Sequence, residues 1–485
     1  MEAMLAGVAA SFAPVNLFYA ALGALIGTIV GVLPGLGPVA TIALLLPVSF
    51  QMSPAGAMIL LAGVYYGAQY GSSTTAILIN VPGEASGAIT ALEGHRLSRA
   101  GKAPEALAVA ALASLVAGLL SALVLAIATP PLAALALGIG PADTAALLMG
   151  GAVLAVLVGG ASAAKGLLML GVGGLLGLIG TAGGDGQPRF TMGLADLRDG
   201  IDFTPLVVGL FGFSEILALM ARGRDVQPVH PTRWWPGWSA IRGWFAPSIR
   251  GAGIGSLVGL LPGATTLFAA FCAYALELRL KNVGREIPTL HGVAAPEAAN
   301  NAAAQSSFVM LFGLGLPANA ATAVLIGAMM IHGLPPGPAL FTTHPSLFWT
   351  FIGSLIVANI VLVALNLPLI GLWARLVTIP PAVLAPAILV VSGLGVLAST
   401  GKPFDVLSLG VFGLFGYAAR RAGFPLLPLL MGYVIAAPFE DHLRRAITHA
   451  RGDWLALAAQ PGVIGLVVAI GTAMIFIGWR LKRGR

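Results

Sequence analysis

Apolar stretches long enough to form membrane helices recur from one end of the chain to the other. A spanning helix needs roughly 20 mainly apolar residues. Such stretches lie near residues 17–33, 55–81, 105–129, 142–160, 165–182, 205–221, 250–278, 300–332, 347–366, 382–399, 404–419 and 462–479, with shorter pieces at 39–48, 367–377 and 424–437. The pattern predicts an all-α, polytopic membrane protein with about 10–14 transmembrane or re-entrant helices.

One of these stretches, residues 65–87 (YYGAQYGSSTTAILINVPGEASG), starts as an apolar helix and then fills with hydroxyl and amide side chains. It is interrupted at Pro82-Gly83, and Glu84 follows directly. Open backbone groups inside hydrocarbon cost several kcal/mol each, so an interruption at this depth is tolerated only when it is buried in protein or lines a wet cavity. We therefore expect this stretch to line a binding site.

The interruptions occur as two pairs at matching spacing. Pro34-Gly35 (GVLPGLGP) has a counterpart in Pro262-Gly263 (GLLPGATT), and Pro82 has one in Pro317. Pro34 and Pro82 are 48 residues apart, and Pro262 and Pro317 are 55 residues apart. Interrupted apolar segments at corresponding places in two halves point to the midplane site of a secondary transporter. We predict two internally related halves with broken helices at the midplane. The units are a first repeat at 1–220, a basic, Trp-rich cytoplasmic connecting loop at 221–249, a second repeat at 250–450, and a C-terminal helix with a basic cytoplasmic tail at 451–485.

Composition excludes a water-soluble domain. Of 485 residues 58% are apolar and 9% charged, and the mean hydropathy is +0.94, whereas soluble domains carry roughly 25% charged residues. The net charge of +7 comes from short basic runs between apolar stretches, as in the positive-inside pattern of cytoplasmic loops. We expect a multi-pass membrane protein, with a lipid bilayer and no nucleic acid among its partners. The single cysteine excludes an intramolecular disulfide.

The candidate chemistry is that of a neutral, oxygen-rich site. Half-helices that begin after the four interruptions would point free N–H groups and a positive dipole end at an anion. The predicted substrate-binding residues are Pro34, Gly35, Gly37, Ser72, Ser73, Thr74, Asn80, Pro82, Gly83, Gly263, Thr265, Asn300, Asn301, Pro317 and Asn319. A transported Na⁺ is expected near Thr75, Asn80, Asn301 and Thr322, since hard neutral oxygens suit it. Glu84 and Glu297 flank this site, where cation coupling and helix capping are both open interpretations.

Enzyme signatures are weak. The chain has no HExxH motif and no Cys/His cluster, and its seven histidines are scattered over loops and span ends. We expect no catalytic residues and no resident cofactor. An intramembrane enzyme acting on a lipid-linked substrate and a passive channel subunit are the alternatives to a transporter.

Several long motifs resemble the large membrane subunit of the tripartite tricarboxylate transporters. They include GVLPGLGPVATIALLLP, YYGAQYGSSTTAILINVPGEASGAITALEGHRLSRAGKAPEAL, GLLPGATTLFAAFCAYALE and HGVAAPEAANNAA, and the resemblance runs from about residue 15 to about residue 450. It implies symport, usually Na⁺-coupled, of carboxylates such as citrate, dicarboxylates or aromatic acids. It also implies two partners, a small membrane subunit and a periplasmic solute-binding protein. The chain departs from the family pattern at Gly71-Ser72, at Gln305 to Ser307 and at Pro317-Ala318, which leaves the substrate open.

Overall fold

The computed structural model describes residues 2–33, 37–80, 84, 86–158, 162–181, 186–222, 235–263, 265–280, 289–369, 371–373, 381–451, 453, 458–461, 463–465, 468 and 471. The α-helices are α1 (Glu2–Ser11), α2 (Pro14–Val32), α3 (Pro38–Ser49), α4 (Pro54–Ile79), α5 (Gly87–Leu97), α6 (Ala103–Leu137), α7 (Pro141–Val158), α8 (Ala163–Gly177), α9 (Phe203–Val207), α10 (Ser214–Arg222), α11 (Phe245–Gly259), α12 (Thr266–Arg279), α13 (His291–Leu314), α14 (Ala320–Ile331), α15 (Ala339–Thr343), α16 (Pro345–Asn366), α17 (Pro381–Thr400), α18 (Pro403–Arg421) and α19 (Leu426–His449). Smaller elements are π-helical turns at Ser98–Lys102 and Val208–Phe213, 3₁₀ turns at Ala195–Leu197 and Trp238–Ile241, and the antiparallel strands β1 (Gly180–Thr181) and β2 (Pro188–Arg189). The predicted all-α, polytopic fold is confirmed.

Local sequence sets many of the helix ends. The helices α2, α3 and α4 begin with proline, whose fixed φ suits the first turn and whose missing N–H would have no helical partner there. The helices α4 and α13 end at residues in the left-handed region, Asn80 (φ 55°) and Gly315 (φ 69°), which stop a helix and turn the chain away. The predicted spans at 250–278 and 300–332 are therefore wrong as single helices. Each is divided in two, into α11 with α12 and into α13 with α14.

Two pairs of helices pack in parallel through glycine, with α2 against α4 and α11 against α13. In each pair three glycines face three backbone carbonyls: Gly23, Gly27 and Gly31 face Leu60, Val64 and Ala68, and Gly251, Gly255 and Gly259 face Ala295, Ala299 and Ala303. Adding 228 to the residue number of each first-half glycine, and 235 to that of each residue that supplies a first-half carbonyl, gives the residue number of its second-half equivalent. The same offsets relate Pro34 to Pro262 and Pro82 to Pro317. The spacing seen in the sequence thus corresponds to matched helix packing.

The equivalent helices α4 and α13 cross each other in opposite directions near the centre of the molecule. Tyr65 and Tyr66 contact the Phe308 ring, with centroids 6.3 and 5.9 Å apart, and Ser73 hydrogen-bonds Glu297. Residue numbers therefore rise along one helix as they fall along the other. The two glycine-packed pairs have inverted orientations, a point that the sequence left undecided.

Basic residues collect at one face of the helical bundle. Arg96, Arg242, Arg250 and Arg279 lie at the face where α4 ends and α13 begins, held there by contacts such as that of Arg250 with Glu277. The opposite face carries acids and bases in ion pairs, such as Asp199 with Lys402 and Glu440 with Arg189. Residues 235–249 of the predicted basic loop lie at the arginine-rich face, and α11 already begins within them. The basic tail at 480–485 lies outside the described residues.

Candidate functional site

The chain folds back into the molecule after α4. The backbone N–H of Glu84 donates to Ser72 Oγ (2.8 Å), and Ser86 Oγ donates to Gln69 Oε1 (3.4 Å). Ser72 and Gln69 lie about two or more helical turns before the end of α4. These bonds therefore hold the chain beside the middle of α4 before α5 begins. Since α5 then runs back towards the end of α4, where His95 Nδ1 lies 3.1 Å from the Ile77 carbonyl oxygen, its first turn starts in the interior.

The two interruptions of the second half touch each other. The backbone N–H of Gly263, in the left-handed region at φ 79°, donates to the Ala318 carbonyl (2.9 Å). Next along the chain, Asn319 forms a capping box with Thr322, in which the Thr322 N–H donates to Asn319 Oδ1 and the Asn319 N–H donates to Thr322 Oγ1. The sequence therefore ends one helix at Gly315 and starts another within the protein.

Tyr65 joins the interruption in the first half to those in the second. Its side chain is buried on α4 and lies near the Asn319 side chain and near Glu84. Glu84, which follows the second interruption, thus lies near the interruptions of the second half. The predicted site residues Pro34, Gly35, Pro82 and Gly83 lie outside the described residues, so the place of the first interruption stays a prediction.

A fully buried carboxylate, Glu297 of α13, lies at the centre of a network that links four helices. Its Oε1 accepts hydrogen bonds from Ser73 Oγ (2.5 Å), Ser114 Oγ (3.2 Å) and Asn301 Nδ2 (3.2 Å), and its Oε2 accepts one from Thr90 Oγ1 (2.9 Å). Asn301 Nδ2 also donates to Ser114 Oγ (2.8 Å). The network fixes the carboxylate between α4, α5, α6 and α13 with neutral donors.

Several buried polar atoms close to this network have no hydrogen-bond partner among the described residues. They are Asn301 Oδ1, both amide atoms of Asn300, the Tyr70 hydroxyl and Gln69 Nε2. A small cavity lined by Tyr70, Ser73, Thr74, Ser114 and Glu297 adjoins them. Because buried polar groups in proteins are nearly always satisfied, this group indicates a place where a polar ligand, an ion or water binds.

A larger cavity, of about 330 Å³, lies near Gly315 between α6, α7, α13, α14 and α19. Its lining is mostly apolar, with side chains such as Leu148, Ile326 and Met330. Such a surface offers few ligands to an ion or a carboxylate.

The other predicted residues fall into separate groups. Ser73 and Asn301 belong to the network around Glu297, Thr74 lines the small cavity beside it, and Asn300 lies on the same buried helix as Glu297. Some residues instead hold the interruptions: Ser72, Gly263, Pro317, Asn319 and Thr322. The rest lie apart from the network: Thr75 donates back to the Ser72 carbonyl, Asn80 is an exposed helix end, Thr265 is an exposed cap of α12, and Gly37 precedes α3.

Thr90 and Ser114 were not predicted from the sequence. Each is a single hydroxyl in an otherwise ordinary helix, where such residues usually bond to their own backbone. Tyr70 lies within the interrupted stretch at residues 65–87, although no role was predicted for it. A signal was present in Glu297, because an ionisable group inside a membrane segment is a functional candidate by default.

The comparisons with known proteins agree with this architecture. The family model described as "Tripartite tricarboxylate transporter TctA family" matches residues 17–431. The chain belongs to this family. It is thus a multi-pass membrane subunit of a tripartite tricarboxylate transporter, and membership in a transporter family implies that it is not an enzyme.

Two relatives come from Agrobacterium vitis. One, named "Uncharacterized 52.8 kDa protein in TAR-I ttuC' 3'region", is 43% identical over 475 residues, which are 97% of this chain and 94% of the relative. The other, "Uncharacterized protein in TAR-II ttuC' 3'region", is 41% identical over 225 residues, 46% of this chain and 93% of the relative. No solved structure matches the chain.

Proposed function

We propose that the chain is the permease subunit of a binding-protein-dependent, Na⁺-coupled secondary transporter that imports a tricarboxylate, a dicarboxylate or an aromatic acid into a bacterium. It works with a small membrane subunit and a periplasmic solute-binding protein in the inner membrane. The arginine-rich face, which includes Arg96 and Arg250, is cytoplasmic by the positive-inside rule. The opposite face is then the docking side for the binding protein.

The observation that carries this proposal is the meeting of the interruptions inside the molecule. The first turn of α5 and the first turn of α14 start in the interior from opposite halves, and Tyr65 lies between them. Helix starts attract negative charge through their dipoles and free N–H groups. A carboxylate placed there needs no buried arginine.

Coupling follows from differential binding. A ligand shifts an alternating-access equilibrium only by its preference for one state over another. A Na⁺ ion held near the carboxylate favours the loaded state, since opposite charges about 4 Å apart attract by roughly 4 kcal/mol at an effective dielectric constant of 20. The Na⁺ gradient thereby drives uptake of the carboxylate.

The test is uptake by proteoliposomes that contain the chain, its small membrane subunit and the binding protein encoded with them. Radiolabelled tri-, di- and aromatic carboxylates are offered with Na⁺ or with choline outside. We expect one class to accumulate above its external concentration only with Na⁺ and only with the binding protein. Undiminished uptake in choline rules out Na⁺ coupling, and uptake that stops at the external concentration without any binding protein favours a channel. Recovery of the label as a different compound would favour an enzyme.

A further inference from the structure

Glu297 has only neutral hydrogen-bond partners, and among the described residues it shares the lack of an ion pair with Glu84 and Asp405. Basic residues accompany three other carboxylates: Glu93 pairs with Arg96, Glu215 with Arg420 and Glu277 with Arg250. In the part of the chain that the structure describes, no lysine, arginine or histidine forms an ion pair with Glu297. A buried carboxylate without a counter-charge is costly, so this site lacks a positive charge.

The surroundings of Glu297 supply oxygens for such a charge. The small cavity is lined by Ser73, Thr74 and Ser114 as well as by the carboxylate. Beside it, the buried Oδ1 of Asn301 has no partner among the described residues, although its Nδ2 is fully engaged. One carboxylate with hydroxyl and amide oxygens is a ligand set for a hard cation rather than for an anion.

We propose that Glu297 binds the coupling cation, a Na⁺ ion held by its carboxylate together with Ser73, Ser114 and Asn301 Oδ1. This assignment rests on the proposed function, because a coupling ion has a role only in a cation-driven transporter. In the inverted repeat, position 297 corresponds to Ala62 by the offset of 235. The equivalent position of the first half therefore lacks this carboxylate.

The placement of Glu297 explains how the ion acts on the transport cycle. The carboxylate belongs to α13 in the second half, whereas three of its donors belong to α4, α5 and α6 in the first half. Movement of one half against the other breaks these bonds and leaves a buried charge unpaired, unless a cation neutralises it. Thr90 lies in the first turn of α5 and hydrogen-bonds the carboxylate. A change at Glu297 is therefore transmitted through Thr90 to the interrupted segment that begins at Glu84.

The first test measures binding of radioactive Na⁺ to the chain co-purified with its small subunit, in a scintillation proximity assay without substrate. We expect saturable binding by the wild type. In Glu297→Gln, which keeps the shape and removes the charge, the affinity should fall on the order of a hundredfold. Glu277→Gln is the matched control, because Glu277 is equally buried but is paired with Arg250, and it should bind Na⁺ as the wild type does. Unchanged affinity in Glu297→Gln, or no saturable Na⁺ binding by the wild type, would overturn the assignment.

The second test uses a milder variant, in case Glu297→Gln does not fold. Ser114→Ala removes one hydroxyl ligand and should raise the Na⁺ concentration for half-maximal uptake about tenfold, while uptake at saturating Na⁺ stays at the wild-type rate. A purely structural role for Ser114 would lower the saturated rate instead. If wild-type uptake does not respond to Na⁺, the proposed coupling fails. If it does respond, and both variants keep the wild-type dependence on Na⁺, only the location at Glu297 fails.

Discussion

The parallel packing of α11 against α13 gives a direct test of the fold that holds the site. Gly255 lies in this interface, and a Cβ atom there would lie 2.8 Å from Ala299 Cα and from Ala302 Cβ, and closer still to the Ala299 carbonyl oxygen. Ordinary carbon contacts lie at about 3.5–4.0 Å. Gly255→Ala must therefore push the two helices apart by roughly 1 Å at this point.

The expected change in the free energy of unfolding is the sum of two terms. Alanine is favoured over glycine within a helix by about 1 kcal/mol, and overpacking of a tight interface typically costs about 1–3 kcal/mol. Gly253 lies on the same helix, is exposed and has nothing within 4 Å of its added Cβ. Gly253→Ala gains the first term without the second, so the difference between the two variants isolates the overpacking cost of about 1–3 kcal/mol.

The assay unfolds both purified variants in mixed detergent micelles and measures the free energy of unfolding as a function of the SDS fraction. We expect Gly253→Ala to equal or exceed the wild type and Gly255→Ala to lie about 1–3 kcal/mol below Gly253→Ala. The equivalent first-half variant, Gly27→Ala, should behave as Gly255→Ala does, because Gly27 faces the Val64 carbonyl in the same way. Equal stabilities for the two α11 variants would refute the described contact of α11 with α13.

Three further predictions concern the site and its surroundings. Asn301→Ala should lower the efficiency of uptake about 5- to 150-fold, corresponding to about 1–3 kcal/mol for one lost site hydrogen bond, while the free energy of unfolding changes less; wild-type uptake kinetics would remove the residue from the site. Ser72→Ala removes the acceptor for the Glu84 N–H and should speed hydrogen exchange at that amide about fivefold or more, which mass spectrometry detects; an unchanged rate would mean that this bond does not hold the interrupted segment. Outside the membrane, Arg189 holds the pKa of Glu440 below its ordinary value of 4.5, so the stabilisation is present above about pH 4.5 and is lost as the pH falls through the lowered pKa. Glu440→Gln should therefore reduce stability by up to about 1 kcal/mol at pH 7 and by progressively less in acid, and a difference independent of pH would contradict this account.

The sequence by itself determined the class of protein and the places where its helices are interrupted. Apolar length set the membrane helices, and proline and glycine, which cannot continue a helix without loss, marked the interruptions. It also indicated the equivalence of the two halves, since the offsets between the paired prolines recur in the glycine contacts. These features are local, so one stretch of chain contains the information for each.

Only the tertiary structure decided which polar residues share a site. Successive residues of a helix point about 100° apart, so Ser73 reaches Glu297 whereas Thr75, two residues on, bonds to its own helix. Thr90 and Ser114 join the network because α5 and α6 pack beside α13, which nothing in their own segments indicates. The opposite directions of α4 and α13 were likewise set by packing between distant parts of the chain. Direction and rotation of a helix depend on its neighbours, and a hydroxyl acquires its role only when those neighbours are in place.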